Sequence, residues 1–154
     1  MRYICVVLVG SLALFHAMAV LGNFTGFDGL VGLVGSTMSM GDGAHWRAIT
    51  SPLIHQIVAA ALLLTQGLIM VACGLGAWRL FAARGTSSQA FAQAKSLALF
   101  GLGLMAAFYL LAWMVFASEW FRMIVTPGGF DFLGSAFWYF AEASLVAIWV
   151  RACD

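Results

Sequence analysis

The stretch PLIHQIVAAALLLTQGLIMVACGLGAWRL, residues 52–80, decides what kind of molecule this is. From Leu53 to Trp78 it holds no Asp, Glu, Lys or Arg, and it exceeds the roughly 20 apolar residues that carry a helix across hydrocarbon. Pro52 suits a first helical turn, where its missing N–H leaves nothing unpaired. The chain around it has the same character. Of 154 residues, 64% are hydrophobic and 8% are charged, whereas a soluble domain runs near half apolar and a quarter charged. Seven basic and six acidic side chains are too few to coat a soluble fold, so the apolar surplus has to face lipid or other proteins.

Three more stretches reach spanning length, giving four helices over about residues 3–21, 53–80, 96–118 and 132–150. The expected fold is an all-α, multi-pass membrane four-helix bundle in one domain. Closed helices satisfy their backbone inside lipid, which open loops do not. The first stretch has an Arg2 n-region and an Ala17-Met18-Ala19 motif like a signal peptide. Its apolar run is longer than a usual signal core, so it reads as a retained helix.

Four spans put both termini on the side of the connection between the second and third helices. That side carries Arg2, Arg79, Arg84, Lys95 and Arg151, and the other carries Arg47, Arg122, Asp28, Asp42, Glu119 and Asp131. The positive-inside bias therefore expects cytoplasmic N and C termini, in a bacterial inner membrane with the acidic side towards the periplasm. A net charge of +1 offers no basic face to nucleic acid. Cys5, Cys73 and Cys153 have no metal-site spacing, and their odd number gives no disulfide framework, so all three read as small apolar fillers.

The first outer connection, about residues 22–51, is long for a compact bundle. Its Gly29-Leu30-Val31-Gly32-Leu33-Val34-Gly35 run is too short to span and too apolar for water. It is expected at the membrane interface or dipping into the bundle, as an interaction surface or a lid. Asn23-Phe24-Thr25 matches a glycosylation acceptor but hugs the membrane, which makes the match incidental. Pro127-Gly128-Gly129 marks a turn in the second outer connection. Gly74, Gly76, Gly101 and Gly103 are candidates for close helix approach, though not at GxxxG spacing.

Chemistry-bearing side chains are few, and no complete catalytic constellation is present. Glu142 stands near the middle of the fourth span, where a carboxyl is costly and expected to face the bundle interior. Gln66 lies at a comparable counted depth and is its expected hydrogen-bond partner. The first reading is a structural bond between helices or to a partner subunit; a proton relay or ligand anchor is the alternative. His16 and His55 count to the outer half of neighbouring helices, which admits axial ligation of a haem b, against a plainer role as hydrogen-bonding histidines with no cofactor. Trp46-Arg47 and Glu119-Trp120-Phe121-Arg122 fit headgroup anchoring. There Arg47 and Glu119 are positioned to tie the two outer connections together, and Trp and Arg also suit docking.

The run Trp46-Arg47-Ala48-Ile49-Thr50-Ser51-Pro52, Asn23 at the first helix exit, Lys95 before the third helix and Glu119-Trp120-Phe121 after it together resemble a family. It is a bacterial family of unknown function, described as predicted small integral membrane proteins with four transmembrane helices. The resemblance covers nearly the whole chain. It departs at Gln66, where an acidic residue is expected, and at Thr126-Pro127-Gly128-Gly129, which replaces a more tryptophan-rich turn. The resemblance implies a topology and a bacterial setting and brings no activity. Three functions then stand side by side. The favoured one is a non-enzymatic accessory or assembly subunit packing against a larger inner-membrane complex, plausible for a respiratory or other energy-converting one. The others are a haem- or quinone-binding electron carrier using His16 and His55, and a small transporter organised around Glu142.

Overall fold

A computed structural model describes residues 1–40, 43 and 45–153; Asp42 lies outside them. The chain forms α1 (Arg2–Thr25), α2 (Phe27–Met38), α3 (Pro52–Ala83) and α4 (Ser88–Phe108), which continues directly as a π-helix (Tyr109–Trp120). A 3-10 turn (Met123–Val125) and α5 (Gly129–Ala152) follow. Four helices are long and apolar enough to cross a membrane: α1, α3, α4 with its π extension, and α5. The protein is an all-α, multi-pass membrane bundle.

Each span is longer than its hydropathy suggests, because apolar length measures only the part in lipid. The largest difference is at α4, which begins at Ser88 rather than near residue 96. Ser87 caps it, its side chain accepting from the Ala90 N–H. The first outer connection contains the larger surprise. Gly26 bends the chain without ending it, its N–H donating to Gly22 O at 2.9 Å, and the apolar glycine-rich run becomes α2. Leu30 of α2 shares a cavity wall with Leu62 and Gln66 of α3. Further along α2, Gly35 meets His55, further back along α3. So α2 prolongs the line of α1 beside α3 and buries Leu30, Val34 and Met38 against Ala59. The run packs on the bundle.

The helix interfaces rest on close approach where side chains are small. A Cβ on Gly76 would lie 2.6 Å from Ala98 Cα, and one on Gly101 would lie 2.9 Å from Cys73 N. These two glycines hold α3 against α4. Gly74 meets only an ordinary contact, 3.9 Å from Ala13 Cβ, and Gly103 faces open space. The π-helix keeps Tyr109, Trp113 and Ala117 buried at intervals of four, as its wider turn requires. At Pro127-Gly128-Gly129, Gly128 takes φ +75°, and a Cβ on Gly129 would strike Met123 O. The expected turn is there, and only glycine fits it.

At the end of the bundle holding both termini, the Arg2 guanidinium donates to Arg84 O at 3.1 Å and Thr86 O at 2.6 Å. It also lies 4.6 Å above the buried Phe91 ring. Lys95 donates to the carbonyls of Arg151 and Cys153, closing the C-terminus of α5 as a cation suits a helix end. The cysteine reading needs correction here. Cys5 and Cys153 form a disulfide across 148 residues, while Cys73 stays a buried free thiol. An odd count hides a pair that only the folded chain brings together.

The glycine contacts give the first prediction. Gly101→Val should destabilise the protein by about 1–3 kcal/mol through overpacking, whereas Gly103→Val should be neutral. Thermal unfolding in detergent compares them; equal effects would remove the close-approach argument.

Candidate functional site

One hydrogen bond sets the register of the bundle. Asn23 Nδ2 donates to Gln66 Oε1 at 2.7 Å, joining α1 to α3. Neither partner has a substitute in hydrocarbon, so the pair is mutually enforced. It also engages the Asn23 amide of the Asn-Phe-Thr motif. Gln66 is thus satisfied by Asn23 and not by Glu142, contrary to the sequence expectation.

From that fixed point the histidines separate. His16 lies seven residues back along α1, about 10 Å. His55 lies eleven residues back along the antiparallel α3, about 16 Å in the opposite direction. They are not at one depth, and the two rings do not meet on a shared iron. The error has a clear source: depth was counted from the outer ends of the two helices, and the outer third of α3 pairs with α2, not α1. Each ring is held by its own carbonyl. His16 Nδ1 donates to Leu12 O at 3.0 Å, which leaves Nε2 fully buried with no partner. The His16 ring lies beside Phe15 and Tyr109. His55 Nε2 donates to Ile49 O at 2.7 Å, and a Cβ on Gly35 would come within 3.0 Å of its Nδ1. His55 pins the outer connection and α2 to α3. Among the described residues, no three metal-ligating side chains gather.

Around the Asn23–Gln66 pair, and reaching to the His16 level, lies a cavity of about 340 Å³. All the spanning elements and α2 line it: Phe15 and Ala19 from α1, Leu30 and Leu33 from α2, Leu62 from α3, Tyr109 and Trp113 from the π-helix, and Phe132, Ser135 and Tyr139 from α5. The rings pack on one another, Phe15 on Tyr139 at 4.8 Å, Tyr109 on Tyr139 at 5.0 Å and Trp113 on Phe132 at 4.8 Å between centroids. No lining side chain is charged. Sequence reading missed this site. The tyrosines stand on different helices, and nothing in the sequence announces the π-helix that turns Tyr109 and Trp113 inward.

The outer connections meet at Arg47. Its guanidinium lies 5.7 Å from the Trp46 ring centre and 5.5 Å from that of Trp120, with the two indoles edge to face. It donates to Glu119 O at 3.5 Å, while the Glu119 carboxylate takes the Ser118 hydroxyl at 3.3 Å. Arg47 therefore ties the two connections as expected, through indole faces and a backbone carbonyl rather than an ion pair. Phe121 sits at the same end, against the α2–α3 cluster.

Glu142 lies where it was not expected. It is exposed on the outer face of α5, halfway along a 24-residue helix. The exposed positions Ser135, Trp138, Glu142, Leu145 and Trp149 recur at intervals of three and four, the spacing of one helix face. Its carboxyl is exposed there, yet near enough to the buried Tyr109 for the two to interact electrostatically.

A family model described as "predicted small integral membrane protein (DUF2165)" matches residues 1–152. The chain belongs to this family. No curated protein and no solved structure matches it.

The register bond yields a double-mutant test. Asn23→Leu and Gln66→Leu should each cost about 1–3 kcal/mol by orphaning the other amide. The double variant should recover a coupling of about 0.5–1.5 kcal/mol. Strict additivity in detergent unfolding would show that the bond does not set the register.

Proposed function

We propose that this membrane protein is a non-enzymatic accessory or assembly subunit, seated against a larger complex of the bacterial inner membrane through the outer face of α5. The observation that carries this reading is Glu142. A charged carboxyl at mid-membrane costs about 3 kcal/mol when it faces lipid. Among the described residues its carboxyl has no hydrogen bond and no ion pair to offset that, and its helical neighbours on the seam are Trp138 and Leu145. A helix bearing a hydrogen-bond donor or a cation at that depth would satisfy it. The aromatic flank supports the same reading, because Phe137, Trp138 and Trp149 are 48%, 66% and 45% exposed, and large rings supply packing area where lipid gives no hydrophobic drive. An energy-converting complex is the host we favour.

The test is photocrosslinking in native membranes from Trp138 or Leu145 replaced by a benzophenone amino acid. One stoichiometric membrane companion should be captured, and Glu142→Leu should reduce the adduct at least several-fold while leaving the subunit folded. Recovery of the chain alone, or an adduct indifferent to Glu142, would overturn the reading.

We further propose that both termini face the cytoplasm, on the strength of the five basic residues at that end. The Cys5–Cys153 pair pulls the other way, because cytosolic thiols are kept reduced. The redox state of the pair in cells therefore reports orientation. Rapid acid trapping and thiol alkylation should find both cysteines as thiols in living cells and bonded only after exposure to air. A fully oxidised pair in cells would place the termini in the periplasm.

A further inference from the structure

The central cavity does not end at its polar wall. It shares Leu62 and Trp113 with a second cavity of about 260 Å³ enclosed by α2, α3 and the π-helix. That one shares Val58, Leu62, Ala112 and Phe116 with a groove between α3 and α4. The groove is lined by Leu111 and Phe116, which are 51% and 55% exposed on the lipid-facing surface. The three spaces lie side by side and share walls, aromatic and hydrogen-bonding at the inner end and apolar towards lipid.

The inner end has hydrogen-bonding capacity that the protein leaves unused. The Asn23–Gln66 bond consumes one donor and one acceptor of the two amides, so an NH₂ donor and a carbonyl acceptor remain whichever way each amide is turned. Tyr109 and Tyr139 line the cavity, and among the described residues neither hydroxyl has a hydrogen-bond partner. The amide pair and the Tyr109 level stand about 10 Å apart along the bundle, judged from the helical rise between Asn23 and His16. Donors thus face the cavity at two levels, with aromatic faces between them and no ion to attract a phosphate or carboxylate.

We infer that these spaces together bind a neutral membrane lipid with a flat, carbonyl-bearing ring head and a long apolar tail, the chemical class of the isoprenoid quinones. The ring lies among Phe15, Tyr109, Tyr139 and Phe132, its carbonyl oxygens accept from the free amide and the tyrosine hydroxyls, and the tail leaves past Leu62. This site uses neither histidine as a ligand. It does not depend on the proposed companion, because every residue that lines the cavity belongs to one chain.

The experiment uses the full chain purified alone in detergent and a decyl-tailed benzoquinone carrying an aryl azide. Photolabelling should fall on peptides containing Trp113, Phe132 or Tyr139 and be competed by the same quinone without the azide. Leu62→Trp, which plugs the passage, and Gln66→Leu should each lower labelling roughly tenfold. Tyr139→Phe, which keeps the ring and removes one donor, covers the case in which Gln66→Leu misfolds, and should weaken labelling several-fold. Leu64→Trp, at a position 70% exposed, should leave it unchanged. Label spread over lipid-facing residues, or insensitivity to both Leu62→Trp and Tyr139→Phe, would overturn the proposal. So would better competition by dioctanoylglycerol than by the quinone, which would assign the site to a neutral glycerolipid.

Discussion

Hydrocarbon offers no replacement for a missing hydrogen bond, and this constraint organises the molecule from end to end. Backbone groups are closed within helices even where the chain changes course, at Gly26 and through the π-helix. Polar side chains inside the spans answer to the same rule. Thr65 and Ser144 return their hydroxyls to carbonyls one turn back, His16 and His55 each take a carbonyl, and Asn23 and Gln66 take each other. Since the last of these bonds joins two helices, it also sets how far one slides along the other. The positions of His16 and His55, the placing of α2 and the height of the cavity all follow from that register.

The ends of the bundle are organised differently from one another. At the termini, cations cap carbonyls: Arg2 holds the turn after α3, and Lys95 holds the end of α5. Phe91 is the apolar floor beneath both charged groups. At the opposite end Arg47 ties the two connections beside two indole rings whose quadrupoles attract a cation. Its Nε is buried without a partner. Cation–ring contact thus substitutes for the ion pair with Glu119 that charge spacing suggested, and it suits an interfacial depth better than a desolvated salt bridge would.

Much of this was legible in the residues. Apolar length located all four spans, and the basic end was evident from Arg2, Arg79, Arg84, Lys95 and Arg151. The Trp46-Arg47 and Glu119-Trp120 elements were singled out and do meet. What escaped the sequence was facing. A helix as apolar all round as α5 gives no periodicity from which to say that Glu142 points outward, and the expectation of an inward carboxyl came from energetics alone. Depth failed at His55 for a different reason: α2 was read as connection, so α3 was aligned to the wrong stretch of chain. The disulfide and the central cavity both join residues far apart in sequence, and single-residue signals do not encode such joins. Yet Gln66 was marked from the start as a polar group needing a partner; only the partner was misassigned.

Two of the polar side chains that the fold leaves without a hydrogen bond among the described residues, Tyr139 and Glu142, lie on one helix. Tyr139 lines the cavity, and Glu142, three residues on and so its neighbour on the helix surface, is exposed. Ser135 belongs to both faces, exposed to the surroundings while lining the cavity. The cavity wall is therefore one helix thick at α5, and whatever covers the Trp138–Glu142–Leu145 seam also closes the Ser135 edge. A bundle that needed α5 only for packing would do as well with leucine at residue 142 and phenylalanine at residue 139. A carboxyl and a hydroxyl in those places cost stability in lipid, and that cost is the physical ground for proposing an occupant on each side of α5.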